Sequence, residues 1–199
     1  MRIIKGKQVR RMAAAEVVAW AAAYGETTVD LGAGDGRFVR RLARERPALG
    51  AIGVDLNAEN LGAASRGASG NALFVVADAL ALPEELNGVA TRVTIYFPWG
   101  SLLRGLLAGH PGLLAGLGAI GRGGIGLEIG LNAGALADAG WTLEAGTERV
   151  AAVLREAGVD VGATRLLGAA DLRRWPTTWA KRLAFGRDPR ASRIEAALP

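Results

Sequence analysis

The sequence predicts an α/β fold built on a mostly parallel sheet with helices on both faces, and three observations carry that reading. Short apolar runs alternate with stretches of helical periodicity along nearly the whole chain. The first apolar run leads directly into a glycine-rich turn that opens a helix. An aspartate closes each of the first three strand-like runs.

Taken in order, residues 2–9 read as an extended or hairpin segment and 11–24 as a helix. Residues 27–31 form a short β-type run ending in glycines, and 36–46 have helical periodicity that stops at Pro47. Residues 51–56 are an apolar, buried strand. A short helix at 59–65 and a loop at 66–70 lead to a third buried run at 73–77. A fourth run, 92–97, ends at Pro98. Residues 101–120 hold one or two helices broken at Pro111, and 125–131 form a fifth strand. A well-patterned helix follows at 147–157, and strands near 161–168 and 178–186 close the chain. There is no internal repeat or linker. The 199 residues form one domain, with 1–10 as an N-terminal hairpin extension and 131–146 as a connector inserted after the fifth strand.

Composition narrows the function classes. Half the residues are hydrophobic and 22% are charged, as in ordinary globular proteins. The chain has no cysteine, which excludes disulfides and thiolate metal sites. Its one histidine, His110, excludes a multi-histidine metal centre and reads as a turn residue before Pro111; no metal is expected. The opening MRIIKGKQVRR has no apolar leader, and 105–121 reads as core, not a membrane span. Both point to the cytoplasm.

The net charge is +5, and its distribution matters more than its size. Residues 2–11 carry Arg2, Lys5, Lys7, Arg10 and Arg11 with no acid. Residues 173–193 carry seven Lys or Arg against Asp188 alone. Such clusters suit a phosphate backbone, and equally a solvated face.

The sharpest local signal is Val29-Asp30-Leu31-Gly32-Ala33-Gly34-Asp35-Gly36-Arg37. Glycines allow positive φ and close approach of the backbone to a ligand. The GxGxxG order of dinucleotide enzymes is missing. Asp30 would repel a pyrophosphate but suits the cationic amino-acid end of S-adenosylmethionine. Asp55 closes the second strand, where a carboxylate can accept both ribose hydroxyls. Asp78 follows the third and can accept from an adenine amino group, with Ala79 offering a backbone N–H. Each aspartate taken singly could be a turn or cap residue; three after three successive strands favour a cofactor pocket.

The fourth strand ends in Tyr96-Phe97-Pro98-Trp99-Gly100-Ser101. Enzymes that methylate adenine or cytosine amino groups place a polar residue where Phe97 stands. That difference points to a ring nitrogen, which presents its own lone pair and needs no general base. Of the five tryptophans, Trp20 reads as core, and Trp141 and Trp175 as packing residues. Trp99 and Trp179 lie in separate loops and could sandwich a base drawn from its stack, or could both be core.

The motifs Phe97-Pro98-Trp99-Gly100-Ser101-Leu102-Leu103 and Thr178-Trp179-Ala180-Lys181-Arg182-Leu183-Ala184-Phe185-Gly186-Arg187, with Ile3-Ile4-Lys5-Gly6, resemble those of the aminoglycoside-resistance methyltransferases that modify N1 of adenine 1408 in 16S ribosomal RNA, the kanamycin–apramycin resistance type. The resemblance spans nearly the whole chain. It implies a class I S-adenosylmethionine-dependent methyltransferase with a Rossmann-like, seven-stranded sheet and a short N-terminal hairpin. Trp99 and Trp179 match the tryptophans that stack on the flipped adenine, and Thr177 matches a residue that positions the second tryptophan or the RNA. Asp30, Gly32, Gly34, Asp55, Ala79 and Ser101 match cofactor-pocket positions. Ala33, Arg37, Leu56, Asp78, Leu80 and Tyr96 are assigned to the same pocket. Arg182 and Arg187 match RNA-contacting positions, joined here by Lys181 and Arg66. The implied partner is 16S ribosomal RNA within the 30S subunit, met by a monomer with no membrane. Two departures stand out. The loop at 61–70 has Arg66 as its only cation, and the connector at 131–145 has none. A methyltransferase acting on another RNA, such as transfer RNA at guanine N7, and a non-catalytic RNA-binding protein on this fold are the alternatives.

Overall fold

The computed structural model describes residues 1–199. Strands β1 (Arg2–Lys5) and β2 (Gln8–Arg11) form the N-terminal hairpin. The chain then alternates through α1 (Ala14–Ala22), β3 (Glu26–Leu31), α2 (Arg37–Glu45), β4 (Leu49–Asp55), α3 (Ala58–Ser65) and β5 (Ala72–Val76). A single turn at Glu84–Leu86 precedes β6 (Ala90–Tyr96), α4 (Gly100–Ala108), α5 (Pro111–Ile120) and β7 (Gly121–Asn132). The last part comprises α6 (Ala133–Asp138), α7 (Leu143–Glu156), β8 (Asp160–Leu167), α8 (Ala169–Arg174), α9 (Thr178–Ala184) and β9 (Ala191–Leu198). No helix is long and apolar enough to cross a membrane.

One sheet runs in the order β2-β1-β5-β4-β3-β6-β7-β9-β8. The five strands from β5 to β7 are parallel, and β9 runs antiparallel between β7 and β8. This is the expected seven-stranded class I sheet, with the hairpin added at its edge through Ile3 and Val75. The strands reverse direction of progression between β3 and β6, so a crevice opens above the carboxyl ends of the central strands.

The alternating side-chain period of the strands divides the core. Val29, Leu31, Val93, Ile95, Leu127 and Ile129 point to one face, where α1, α4, α5 and α7 cover them. Val39, Leu61 and Phe74 join α2 and α3 to the other face over β4 and β5. A small third cluster around Phe97, Leu172, Trp175 and Ala180 sits at the carboxyl ends of the strands.

Several expectations need correction. Residues 178–186 are not a strand. Thr177 caps a helix there by accepting from the Ala180 N–H at 3.0 Å, and Ala180 and Ala184 bury one stripe of it. The final strand is instead Ala191–Leu198, whose Arg, Ala and Glu content carries little β preference. It becomes a strand because β7 and β8 pair with it on both sides, a tertiary effect overriding local propensity. The first helix starts at Ala14, since Arg11 belongs to β2 opposite Arg2. Part of the connector after the fifth parallel strand folds as α6, and α8 has no counterpart in the sequence reading. Trp20 is only partly buried, with its Nε1 donating to the Gly70 carbonyl at 3.2 Å. His110 does sit at a turn, between Gly109 and Pro111, where α4 ends and α5 starts.

One side chain fixes the base of the glycine-turn unit. Buried Asn71 donates its amide to the carbonyls of Ala43 (2.9 Å), at the end of α2, and of Leu49 (2.7 Å), at the start of β4. Asn71→Ala leaves both acceptors unpaired in the interior. Urea unfolding should show a loss of about 2–4 kcal/mol, two buried hydrogen bonds at 1–2 each.

Candidate active site

β3 is buried from Thr27 to Leu31 and delivers the glycine turn at its carboxyl end. The Gly32 and Ala33 N–H groups both donate to the Val54 carbonyl, at 2.9 and 3.0 Å, folding the turn over β4. Gly36 and Gly34 have positive φ for different reasons. A Cβ on Gly36 (φ +64°) would lie 2.6 Å from the Ala64 Cβ and 2.8 Å from the Phe74 ring, so its absence lets α2 seat against α3 and β5. A Cβ on Gly34 (φ +56°) would meet nothing within 4 Å: the turn is open on that side.

The three aspartates stand at the tips of β3, β4 and β5. Asp55 accepts from the Gly34 N–H and the Asn57 N–H, each at 2.8 Å, and so ties the turn to β4. Asp78 accepts from the Leu80 N–H at 2.9 Å. Both therefore perform the turn role, and their remaining lone pairs are free for a ligand. Asp30 differs. It is 4% exposed and accepts only from the Thr94 hydroxyl, at 2.7 Å. Burial pushes its carboxyl up to about 7; the Thr94 hydrogen bond opposes that shift and the Asp55 charge adds to it.

A cavity of about 480 Å3 joins these groups, a size ordinary for small-molecule sites. Asp30, Gly32, Ala33, Gly34, Arg37 and Asp55 line one wall. Leu56, Asp78 and Ala79 line another, with Tyr96 and Ser101 beyond them. Trp99, Thr177, Trp179 and Arg182 close the mouth. Neither tryptophan is core: Trp99 is 49% and Trp179 41% exposed, so of the two readings the sequence left open the surface one holds.

Local structure explains the outward rings. Phe97 adopts φ 56°, a left-handed conformation costly for a bulky residue. Its N–H donates to the Gly130 carbonyl at 2.8 Å and its ring turns inward, 3% exposed. No polar side chain reaches the cavity from that position, and the chain is turned so that Pro98 and Trp99 face the mouth. Trp179 rides on α9, capped by Thr177, with the Arg182 guanidinium 6.0 Å from its ring centre. Burial, Glu128 and Asp30 all raise the Tyr96 hydroxyl's pKa, so it stays neutral.

Four of the expected residues stand apart from the cavity lining. Leu80 packs against Gly105 of α4, and only its backbone serves the site, by holding Asp78. Arg66 lies beside Gly6 of the hairpin. Lys181 and Arg187 are exposed around α9. The cavity also takes in Asp35, Phe38, Leu102 and Thr178, which the sequence reading passed over. Trp175, read as packing, is 6% exposed and meets Tyr96 and Phe97 at centroid distances of 5.5 and 5.8 Å. Its place four residues before Trp179 was the one available signal.

Comparison with known proteins decides the family. Residues 2–198 match the model of the NpmA family, 16S rRNA (adenine(1408)-N(1))-methyltransferase. The chain belongs to this family. A 16S rRNA (adenine(1408)-N(1))-methyltransferase of Streptoalloteichus hindustanus is 31% identical over 204 residues, covering 94% of each chain. The solved antibiotic-resistance methyltransferase Kmr is 30% identical, with a TM-score of 0.81 over 100% of this chain and 99% of that one. A variant of the enzyme from Catenulisporales acidiphilia, solved with its cosubstrate SAM, is 26% identical, with a TM-score of 0.83 over 100% and 96%. These likenesses place the chain's α/β sheet among the S-adenosylmethionine-dependent methyltransferase folds.

The raised Asp30 pKa has a stability consequence. The unfolded chain ionises this carboxyl near pH 4, the folded chain near 7, so folding is penalised progressively between those values and by a constant amount above. Asp30→Asn carries no such penalty. Chemical denaturation of the ligand-free proteins should show the stability difference, variant minus wild type, rising from about pH 4.5 to 7 and level above that. A pH-independent difference would contradict the burial argument.

Proposed function

We propose that the protein transfers a methyl group from S-adenosylmethionine to N1 of adenine 1408 in 16S ribosomal RNA, presented by the 30S subunit, and thereby confers resistance to aminoglycosides such as kanamycin and apramycin. One observation supports this reading above all. Two half-exposed indoles open onto the same cavity as three strand-tip carboxylates.

The residues fit the cofactor. Buried Asp30 suits a cationic ammonium group, and the free lone pairs of Asp55 suit two ribose hydroxyls. Leu56, 60% exposed yet lining the cavity, offers an apolar face to an adenine ring, with Asp78 and the Ala79 N–H at its edge. Gly34 leaves its side of the turn open for close approach. When bound, S-adenosylmethionine supplies an electrophilic methyl group on a cationic sulfur.

The chain's own contribution is placement. Trp99 and Trp179 stack on the two faces of a flipped adenine, at about 1–3 kcal/mol per stacked base. Thr177 holds the helix that presents Trp179. Adenine N1 already has an in-plane lone pair, so alignment replaces proton removal and Tyr96 takes no proton. The methylated base is cationic, and two indole faces favour that charge. Arg182 at the mouth, with the exposed Lys181 and Arg187 on and just after α9, offers cations to the RNA backbone. With few cations in 61–70 and none in 131–145, the basic terminal segments supply most of the docking charge. Recognition of the 30S surface is by shape, as is usual for folded RNA.

The decisive experiment is methylation of purified 30S subunits with the modified base mapped. N1-methyladenine at position 1408 is expected; an unmodified adenine 1408, with the methyl group entering transfer RNA supplied in a parallel reaction, would refute the assignment. Trp99→Ala and Trp179→Ala should each slow methylation about ten- to hundredfold, the kinetic equivalent of one lost stacking contact. Calorimetry should find their cofactor affinity unchanged. Asp55→Ala should do the reverse, weakening cofactor binding first.

A further inference from the structure

The sheet keeps part of one face bare. On β6, β7, β9 and β8 the residues that point away from the α7-covered core include Arg92, Glu128, Arg193 and Arg165. The register sets Tyr96, Gly130, Arg193 and Arg165 side by side on those four strands. Beneath the α8–α9 segment this leaves a hollow of about 520 Å3. Five arginines line it: Arg46, Arg92, Arg165, Arg174 and Arg193. Its two carboxylates are already engaged, Glu128 by Arg92 and Arg193 and Asp171 by Arg165 at 3.3 Å. Arg174 forms no ion pair within the protein. The buried Trp175 indole, also in the lining, has no acceptor for its Nε1–H. The hollow therefore holds more donors than acceptors and a net positive charge. An occupant must bring anionic oxygens.

Position says which anion. Phe38 and Tyr96 line both this hollow and the cofactor cavity. Residues 174–176 edge the hollow, and 177–179, the next in the chain, edge the mouth that carries Trp179. A nucleic-acid strand that places one base at the mouth has its neighbouring phosphates within reach of this surface.

We propose that the hollow is a second RNA contact, holding a phosphodiester segment near the target base through Arg165 and Arg174. It rests on the function proposed above and adds a docking surface on the bare sheet face. A free phosphate or nucleotide is the lesser match, because the hollow, about 520 Å3 in volume, is lined by five spread arginines and borders the cofactor cavity at Phe38 and Tyr96. An acidic protein segment of the subunit is the other anion it could meet, and the salt dependence below separates that case.

The test measures binding to 30S subunits across salt concentrations for wild type, Arg174→Gln and Arg165→Gln/Arg174→Gln. Each lost phosphate contact should lower the slope of log affinity against log salt by about one. At moderate salt the double variant should bind on the order of tenfold more weakly, while its calorimetric affinity for S-adenosylmethionine matches wild type. Arg174 has no intramolecular partner to lose, so the single variant guards against a folding artefact. Unchanged affinity and slope in both variants would overturn the proposal. So would weaker binding with an unchanged slope, which would indicate a protein contact or a disturbed fold. Wild-type protein run alongside separates the two readings: if it neither binds nor methylates 30S subunits the enzymatic assignment itself fails, whereas active wild type with unaltered variants removes the hollow alone.

Discussion

Trp175 packs its indole edge-on against Tyr96 and tilted beside Phe97, so the exit of β6 and the chain leading into α9 are held by one buried ring. Aromatic pairs of this kind contribute about 0.5–1.5 kcal/mol each beyond their burial. Space for them comes from Gly130, where a Cβ would lie 3.3 Å from Trp175 and 3.4 Å from Phe97. The packing offsets the left-handed backbone of Phe97, which costs about 1–2 kcal/mol. That one junction joins the segment that leads to Trp99 and the segment that leads to Trp179. Arg193, 5.6 Å from the ring centre, covers the same indole from the bare sheet face.

Charge is sorted by depth. The floor of the cavity is acidic, with Asp30, Asp55 and Asp78 at three strand tips, and its rim and flank are basic. A cationic small molecule and a polyanionic macromolecule can thus meet at one opening without either being drawn to the other's place. Depth also sets the chemistry of Asp30. Its burial disfavours the charged form, and a bound ammonium group would restore it. Stability given up there is recovered on binding, the usual relation between a functional site and the fold that carries it.

Much of this was legible in the residues. The glycine turn and the three aspartates announced themselves because each follows a short β-branched or apolar run, and parallel strands buried on both faces read as near-continuous apolar runs. The Phe97-Pro98-Trp99 and Thr178-Trp179 motifs named the mouth. What stayed hidden lay where neighbours overrule local preference. Ala191–Leu198 reads as indifferent to β structure and becomes a strand between two others. Residues 178–186, expected as a strand, hold the helix formers Ala180, Lys181, Arg182, Leu183 and Ala184, and the Thr177 cap starts a helix there. Only its spacing from Trp179 set Trp175 apart, since a buried indole and an exposed one look the same in a string of letters. The bare basic face emerges only once the register of β6, β7, β9 and β8 is known, because Arg92, Arg165 and Arg193 are far apart in sequence.

The central claim is that a single base leaves the ribosomal RNA and lies between Trp99 and Trp179, its N1 turned to the donor. Electron cryomicroscopy of the 30S complex, formed with an S-adenosylmethionine analogue that cannot give up its methyl group, tests it most directly. Density for adenine 1408 between the two indoles, N1 toward the Asp30 side of the cavity, is the predicted result. An adenine still stacked in its RNA helix, with both rings empty in a well-ordered complex, would contradict the account.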